Sequence, residues 1–134
     1  MAAVFEKLNW KNQQEIVVLN APESFEPELA YVSAAAIHRS LSPVKETTFL
    51  LAFVTRKTEV DGLATQIAKR AKGDAIVWFA YPKGSSKKYK CDFNRDTGWD
   101  AVTGLGFETV RAIAIDEDWT ALRFRRSEYV KQRK

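Results

Sequence analysis

A single α/β domain of three layers, with a mostly parallel sheet that ends in an antiparallel hairpin, is the fold class this 134-residue sequence predicts. Three observations predict it. The apolar runs IVVL (16–19), TFLLAFV (48–54) and AIVWFAY (75–81) offer side chains to both faces of a strand, as in a sheet covered on both sides. Between the second and third runs, Val60, Leu63, Ala64, Ile67, Ala68 and Ala71 form one helical stripe. A helix therefore crosses from one strand to the next, which makes the two strands parallel and the connection right-handed. Finally, runs 107–115 and 119–125 are separated only by Asp116-Glu117-Asp118, a turn fit for antiparallel neighbours.

The elements follow in order. Residues 1–14 form an amino-terminal arm, with Val4, Phe5 and Leu8 at helical spacing, expected to place a short helix on the sheet edge. Residues 15–19 are the first buried strand, and 20–24 the turn after it. Ser24 is expected to cap a helix from Phe25, with Pro27 in its first turn and Phe25, Leu29 and Val32 on one face. A short second strand covers 34–40, and the third covers 47–55. Thr58 caps the next helix with Asp61 as its partner, and Gly73 closes it. The fourth strand, 74–81, is central, and Pro82, which has no amide hydrogen, ends its ladder. Asp96 or Thr97 caps a further helix carrying Trp99, Val102 and Leu105, ended by Gly104 and Gly106. After the hairpin, 127–134 is a basic tail.

Charge is unevenly placed. The formal net charge is +4. Loop 83–95 carries Lys83, Lys87, Lys88, Lys90 and Arg95 against Asp92, and 123–134 carries six basic residues against Glu128. The rest of the chain is mildly acidic, a distribution that favours an anionic partner over general adhesion. One cysteine, Cys91, excludes an intrachain disulfide and suits a reducing, cytoplasmic setting. Lys90 and Arg95 near it would lower its pKa, but no neighbouring base marks it as a nucleophile. No run approaches membrane-spanning length, and the amino terminus lacks the apolar core of a signal peptide. His38 is the single histidine and has no second ligand at metal spacing, so no metal is expected.

The candidate site lies where the fourth strand delivers its loop. In open parallel sheets, ligands bind beyond the carboxyl ends of the strands. Lys83, Ser85, Ser86, Lys87 and Arg95, with exposed amides at the helix start Asp96-Thr97, are expected to bind an anion there, flanked by Arg123 and Arg125. The ligand class is a nucleotide, a phosphorylated metabolite or the backbone of a nucleic acid. Tyr81, Tyr89 and Phe93 offer stacking surfaces for the last, or else pin the loop to the core. Two other functions stay open. One is a transferase-like enzyme in the same crevice, with Asp92, Asp96, Asp100 or Cys91 as its chemical group. The other is an interaction module that pairs through an edge strand or the amino-terminal arm, a homodimer included.

Four segments, LNAP (19–22), WFAYPK (78–83), NRDTGW (94–99) and DEDWTALRFR (116–125), resemble a family of small bacterial proteins of unknown function, over about 15–126. More remotely, the layout resembles a trimmed class I methyltransferase fold, Rossmann-like, with a late helix followed by an antiparallel hairpin. That resemblance implies an S-adenosylmethionine site after the first strand. The turn Asn20-Ala21-Pro22 has no glycine there, and Pro22 removes an amide from the cradle, so no cofactor is expected.

Overall fold

The computed structural model describes residues 4–11, 13–93 and 97–131. Helix α1 (Val4–Lys7) precedes β1 (Glu15–Leu19), a 3-10 helix (Glu23–Val32), β2 (Ala36–His38) and β3 (Thr47–Phe53). Then come α2 (Lys57–Arg70), β4 (Ala71–Pro82), α3 (Asp100–Thr103), β5 (Phe107–Ala114), β6 (Trp119–Arg126) and α4 (Ser127–Lys131). The six strands form one sheet in the order β2-β1-β3-β4-β6-β5. Neighbours from β2 to β4 are parallel, and β6 runs antiparallel to both β4 and β5. The expected fold class is therefore what forms, with strand 74–81 at the centre.

Alternation along β4 builds two cores. Val77, Phe79 and Tyr81 face α2 and α3, where they meet Val60, Ala64, Ile67, Trp99 and Phe124. Ile76, Trp78 and Ala80 face α1 and the 3-10 helix, among Phe5, Leu8, Phe25, Leu29 and Phe53. Burying such side chains on both faces supplies most of the driving force for the fold.

Several local expectations are corrected. The amino-terminal helix does not sit on the sheet edge. Phe5 and Leu8 are fully buried, and the Trp78 indole N–H donates to Leu8 O (2.8 Å), so the segment covers the central strand. The helix after β1 is 3-10 and begins after Pro22, with no side-chain cap, so Ser24 lies inside it. Pro27 cannot donate an amide to an earlier carbonyl, which suits a tight, irregular helix. Helix α2 starts one residue before Thr58, because its free amides find carboxylates elsewhere. Glu59 Oε1 accepts from the Thr55 and Arg56 amides, and Asp92 Oδ1, from the loop after β4, accepts from the Lys57 amide (2.7 Å). Helix α3 begins at Asp100 rather than at 96–97. Gly98 sets this boundary: its φ is +93°, and a Cβ there would meet Phe93 Cβ at 2.7 Å.

Candidate functional site

The carboxyl ends of β1, β3 and β4 open on one side of the sheet, and each contributes a different surface. After β1 the chain turns at Asn20, whose φ is +58°, the left-handed conformation that asparagine tolerates. After β3 come Thr55 and the start of α2. After β4, the Lys83 amide donates to Asp118 O (2.8 Å), which ties the loop to the β5–β6 turn.

The loop is organised from within. Ser86 Oγ donates to Asp118 Oδ1 (2.9 Å) and accepts from the Lys88 and Tyr89 amides. The Tyr89 ring lies 4.9 Å from that of Trp119, and Phe93 lies 5.0 Å from Trp99. The Asp92 amide reaches back to Thr55 O (3.4 Å). Both ends of the lysine-rich stretch are thus fastened to the core, while Lys87 and Lys88 stay exposed and Lys90 is exposed in its turn.

Two cavities flank Tyr89. One, of about 360 Å³, is lined by Lys83, Gly84, Ser86, Lys90, Cys91 and Phe93 among others. The second, of about 340 Å³, is lined by Asn20, Pro22, Phe53, Thr55, Glu59 and Trp119. Tyr89 is a wall of both. A third, of about 490 Å³, lies on the outer side of the loop, where Ser85, Lys87 and Lys88 face Glu117 and Asp118.

The expected anion set is therefore divided. Lys83 and Ser86 line the inner cavity, together with Lys90. The Ser86 hydroxyl already serves Asp118 and two loop amides, so it shapes the loop. Ser85 and Lys87 face the outer, partly acidic cavity. Arg95 and Asp96 lie outside the described residues. Thr97 is exposed and does not cap α3. Arg123 and Arg125 do not flank the loop. They lie four and six residues along β6 from Trp119, which is the partner of Pro82, and so stand about 13 and 20 Å away at ~3.3 Å per residue. Arg125 forks onto Asp74 instead (2.8 and 2.7 Å).

Thr55, Glu59 and Trp119 escaped the expectation, while Asn20 and Pro22, weighed as part of a cofactor cradle and set aside, line the second cavity with them. The same strand-end rule applied to β1 and β3 points to Asn20 and Thr55.

Burial pushes the Cys91 thiol up, helped by the Asp92 and Glu59 carboxylates, the reverse of an activated nucleophile. Glu59 is engaged by the Thr55 hydroxyl and by two amides. His38 stands at the end of the edge strand β2, against Glu15 (3.1 Å). It lines a cavity of about 580 Å³ with Glu46 and Lys72, and those two pair with each other (3.6 Å). Among the described residues no group of three or more metal-ligating side chains converges. Nor is any helix there long and apolar enough to cross a membrane.

Parallel strands up to β4, an antiparallel β6 slotted between β4 and β5, and a crevice at the carboxyl ends define a class I methyltransferase-like fold. No family model and no curated protein sequence matches the chain. Solved structures match it in fold. A chain of the fibrillarin/Nop5p complex superposes with a TM-score of 0.61 at 11% identity, over 87% of this chain and 74% of that one. Methanococcus jannaschii fibrillarin, a pre-rRNA processing protein, gives 0.56 at 9% identity over 87% and 68%. Haemonchus contortus phosphoethanolamine N-methyltransferase 2, solved with phosphomonomethylethanolamine and S-adenosylhomocysteine, gives 0.58 at 10% identity over 94% and 38%. At such identities the likeness is one of fold, which alone assigns no activity.

Proposed function

We propose that this protein binds a nucleotide at the carboxyl ends of β1, β3 and β4, without catalysing a reaction on it. The observation that carries the proposal is the position of Tyr89 as the common wall of a lysine-lined cavity and an aromatic one. A nucleotide has the matching two ends. Its base would lie among Pro22, Tyr89 and Trp119, and its phosphate beside Lys83 and Lys90. The non-catalytic part rests on the Cys91 thiol held protonated by burial and on Glu59 committed to the start of α2.

The alternative is a transferase, and the fold of its structural neighbours favours it. The site itself weighs against the usual donor arrangement, because Pro22 follows β1 where a phosphate or carboxylate cradle would need an amide. The single cysteine suits a cytoplasmic setting for either function.

Melting temperature in the presence of AMP, ATP and S-adenosylmethionine tests the proposal. A ligand at ~100 times its dissociation constant adds ~2.7 kcal/mol. AMP or ATP is expected to raise the melting temperature, and Lys83→Ala with Lys90→Ala to remove the rise. A rise with S-adenosylmethionine alone overturns the proposal in favour of the transferase.

A further inference from the structure

The arginines displaced from the loop stand in a different environment, on the sheet face that carries Trp78. Arg123 is the cross-strand partner of Trp78 on one side and of Arg111 on the other. Directly opposed residues of antiparallel strands share a face, with Cβ atoms about 4.5–5.5 Å apart, and like charges so placed repel. A bulge in β5 between Thr109 and Arg111 sets this register and leaves Val110 exposed. Glu108 lies opposite Arg125.

The nearby carboxylate reaches Arg123 only through its field. Asp74 takes both of its short hydrogen bonds from Arg125, Nε at 2.8 Å and Nη2 at 2.7 Å. Arg123 is half-buried, and its Nε–H is buried without a hydrogen-bond partner among the described residues. A buried donor left unmade costs about 1–3 kcal/mol, more when charged. Burial first, then the Arg125 charge, disfavour its cationic form; Asp74 pulls the other way, and Arg111 adds the smallest push against it. A repelling pair with an orphaned donor is a poor arrangement for an isolated chain and a good one for a chain that holds an oxyanion there.

We infer that Arg111 and Arg123 form a second anion site, for a phosphoryl group, on the Trp78 face of the β5–β6 hairpin. Two guanidinium groups meeting one ligand favour phosphate over carboxylate. One fork occupies both oxygens of a carboxylate, whereas a phosphate keeps a further oxygen for the second arginine. The site is separate from the crevice at Tyr89, because β6 carries Arg123 about 13 Å from the Pro82 end at ~3.3 Å per residue.

Inorganic phosphate is the probe. The expected result is a saturable shift of the Arg123 Nε–H resonance in proton–nitrogen spectra, with a rise in melting temperature that chloride at matched ionic strength does not reproduce. Arg111→Ala, an exposed position, should abolish the shift and, without phosphate, raise the melting temperature by removing the repulsion. Arg123→Lys keeps the charge, lacks the fork, and should lose the phosphate-dependent rise. In the background of Lys83→Ala with Lys90→Ala the Arg123 response should persist. A single-stranded oligonucleotide distinguishes the source. Shifting the resonance at far lower phosphate concentration than the free ion assigns the site to a nucleic-acid backbone. Equal potency per phosphate assigns it to small phosphates. No saturable shift with either probe, or a shift that survives Arg111→Ala, overturns the inference.

Discussion

The lysines of the loop after β4 and the arginines of β6 look alike in the sequence, as two basic clusters on an acidic body. In the folded chain they have little in common. Lys87, Lys88 and Lys90 stand in solvent, on a loop whose shape is fixed by Ser86, Tyr89, Asp92 and Phe93. The arginines are largely spent. Arg125 holds Asp74, and Arg126 donates to Ala68 O (3.0 Å) and Ala71 O (2.7 Å) where α2 gives way to β4. Arg123, by contrast, keeps its Nε–H unpaired among the described residues. Formal charge counts residues, whereas a ligand meets only the charges that the fold has not used.

The largest effect that sharpens this contrast is at Arg126. Its guanidinium satisfies two carbonyls at the end of α2 and lies 4.8 Å from the centre of the Phe107 ring. Arg126→Ala should cost about 2–3 kcal/mol in urea unfolding, since hydrogen bonds from a charged donor contribute ~1.5–3 kcal/mol each and this one is partly exposed. A cost below about 0.5 kcal/mol, the range of an ordinary surface substitution, would show that Arg126 is as idle as a loop lysine.

Next is Ser86, the structural residue inside the lysine loop. Ser86→Ala removes the acceptor for the Lys88 and Tyr89 amides and the donor to Asp118. We expect a loss of about 1–2 kcal/mol and faster hydrogen exchange at the Tyr89 amide. If binding of AMP or ATP falls in step, the hydroxyl acts by shaping the loop. Unchanged loop exchange together with lost binding would make it a ligand group instead.

How much of this was legible in the sequence depends on how far the partner lies along the chain. Strand β4 and its parallel neighbour β3 were legible because a short apolar run with both faces filled fits a strand covered on both sides, and because the stripe from Val60 to Ala71 forces a crossover. The start of α2 was not. Asp92 caps it from 35 residues downstream, so the local Thr58–Asp61 pattern had a distant competitor. The same holds for Ser86, claimed by Asp118 32 residues on, and for Arg125, claimed by Asp74 51 residues back. Loop charge was legible and its division was not, because only the β5–β6 turn brings Glu117 and Asp118 against Lys87.

A smaller effect, with a pH signature, comes from the pair that removes Arg125 from the free charge. The hydrogen bond from Arg125 holds the Asp74 carboxyl below the usual carboxylate range. A depressed folded-state pKa contributes stability that is present above the unfolded value, near ~4, and lost as pH falls through the folded one. Asp74→Asn should therefore lower stability at pH ~7 by about 0.5–1 kcal/mol, the range for a partly exposed ion pair. The difference from the parent should shrink as pH drops below ~4. A gap that stays constant from neutral to strongly acidic pH would mean that the carboxylate charge is not what holds Arg125.

The smallest effect on stability is expected at the outer lysines, and it divides the loop most cleanly. Lys87 and Lys88 are exposed and face Glu117 and Asp118, whereas Lys83 and Lys90 line the cavity against Tyr89. Lys87→Ala with Lys88→Ala should leave stability within about 0.5 kcal/mol of the parent, as for surface positions without buried partners. For binding, the outer pair acts only through the long-range field, which salt screens over ~8–10 Å. Its removal should weaken AMP or ATP at low ionic strength and leave the affinity nearly unchanged at about 0.15 M salt and above. Lys83→Ala with Lys90→Ala should weaken both at every salt concentration, because these two contact the phosphate in the proposed site. If the outer pair instead carries the loss at high salt, the ligand lies on the far side of the loop, against Glu117 and Asp118. An anion beside those carboxylates would need a bridging cation, and Tyr89 would no longer join the two halves of one site.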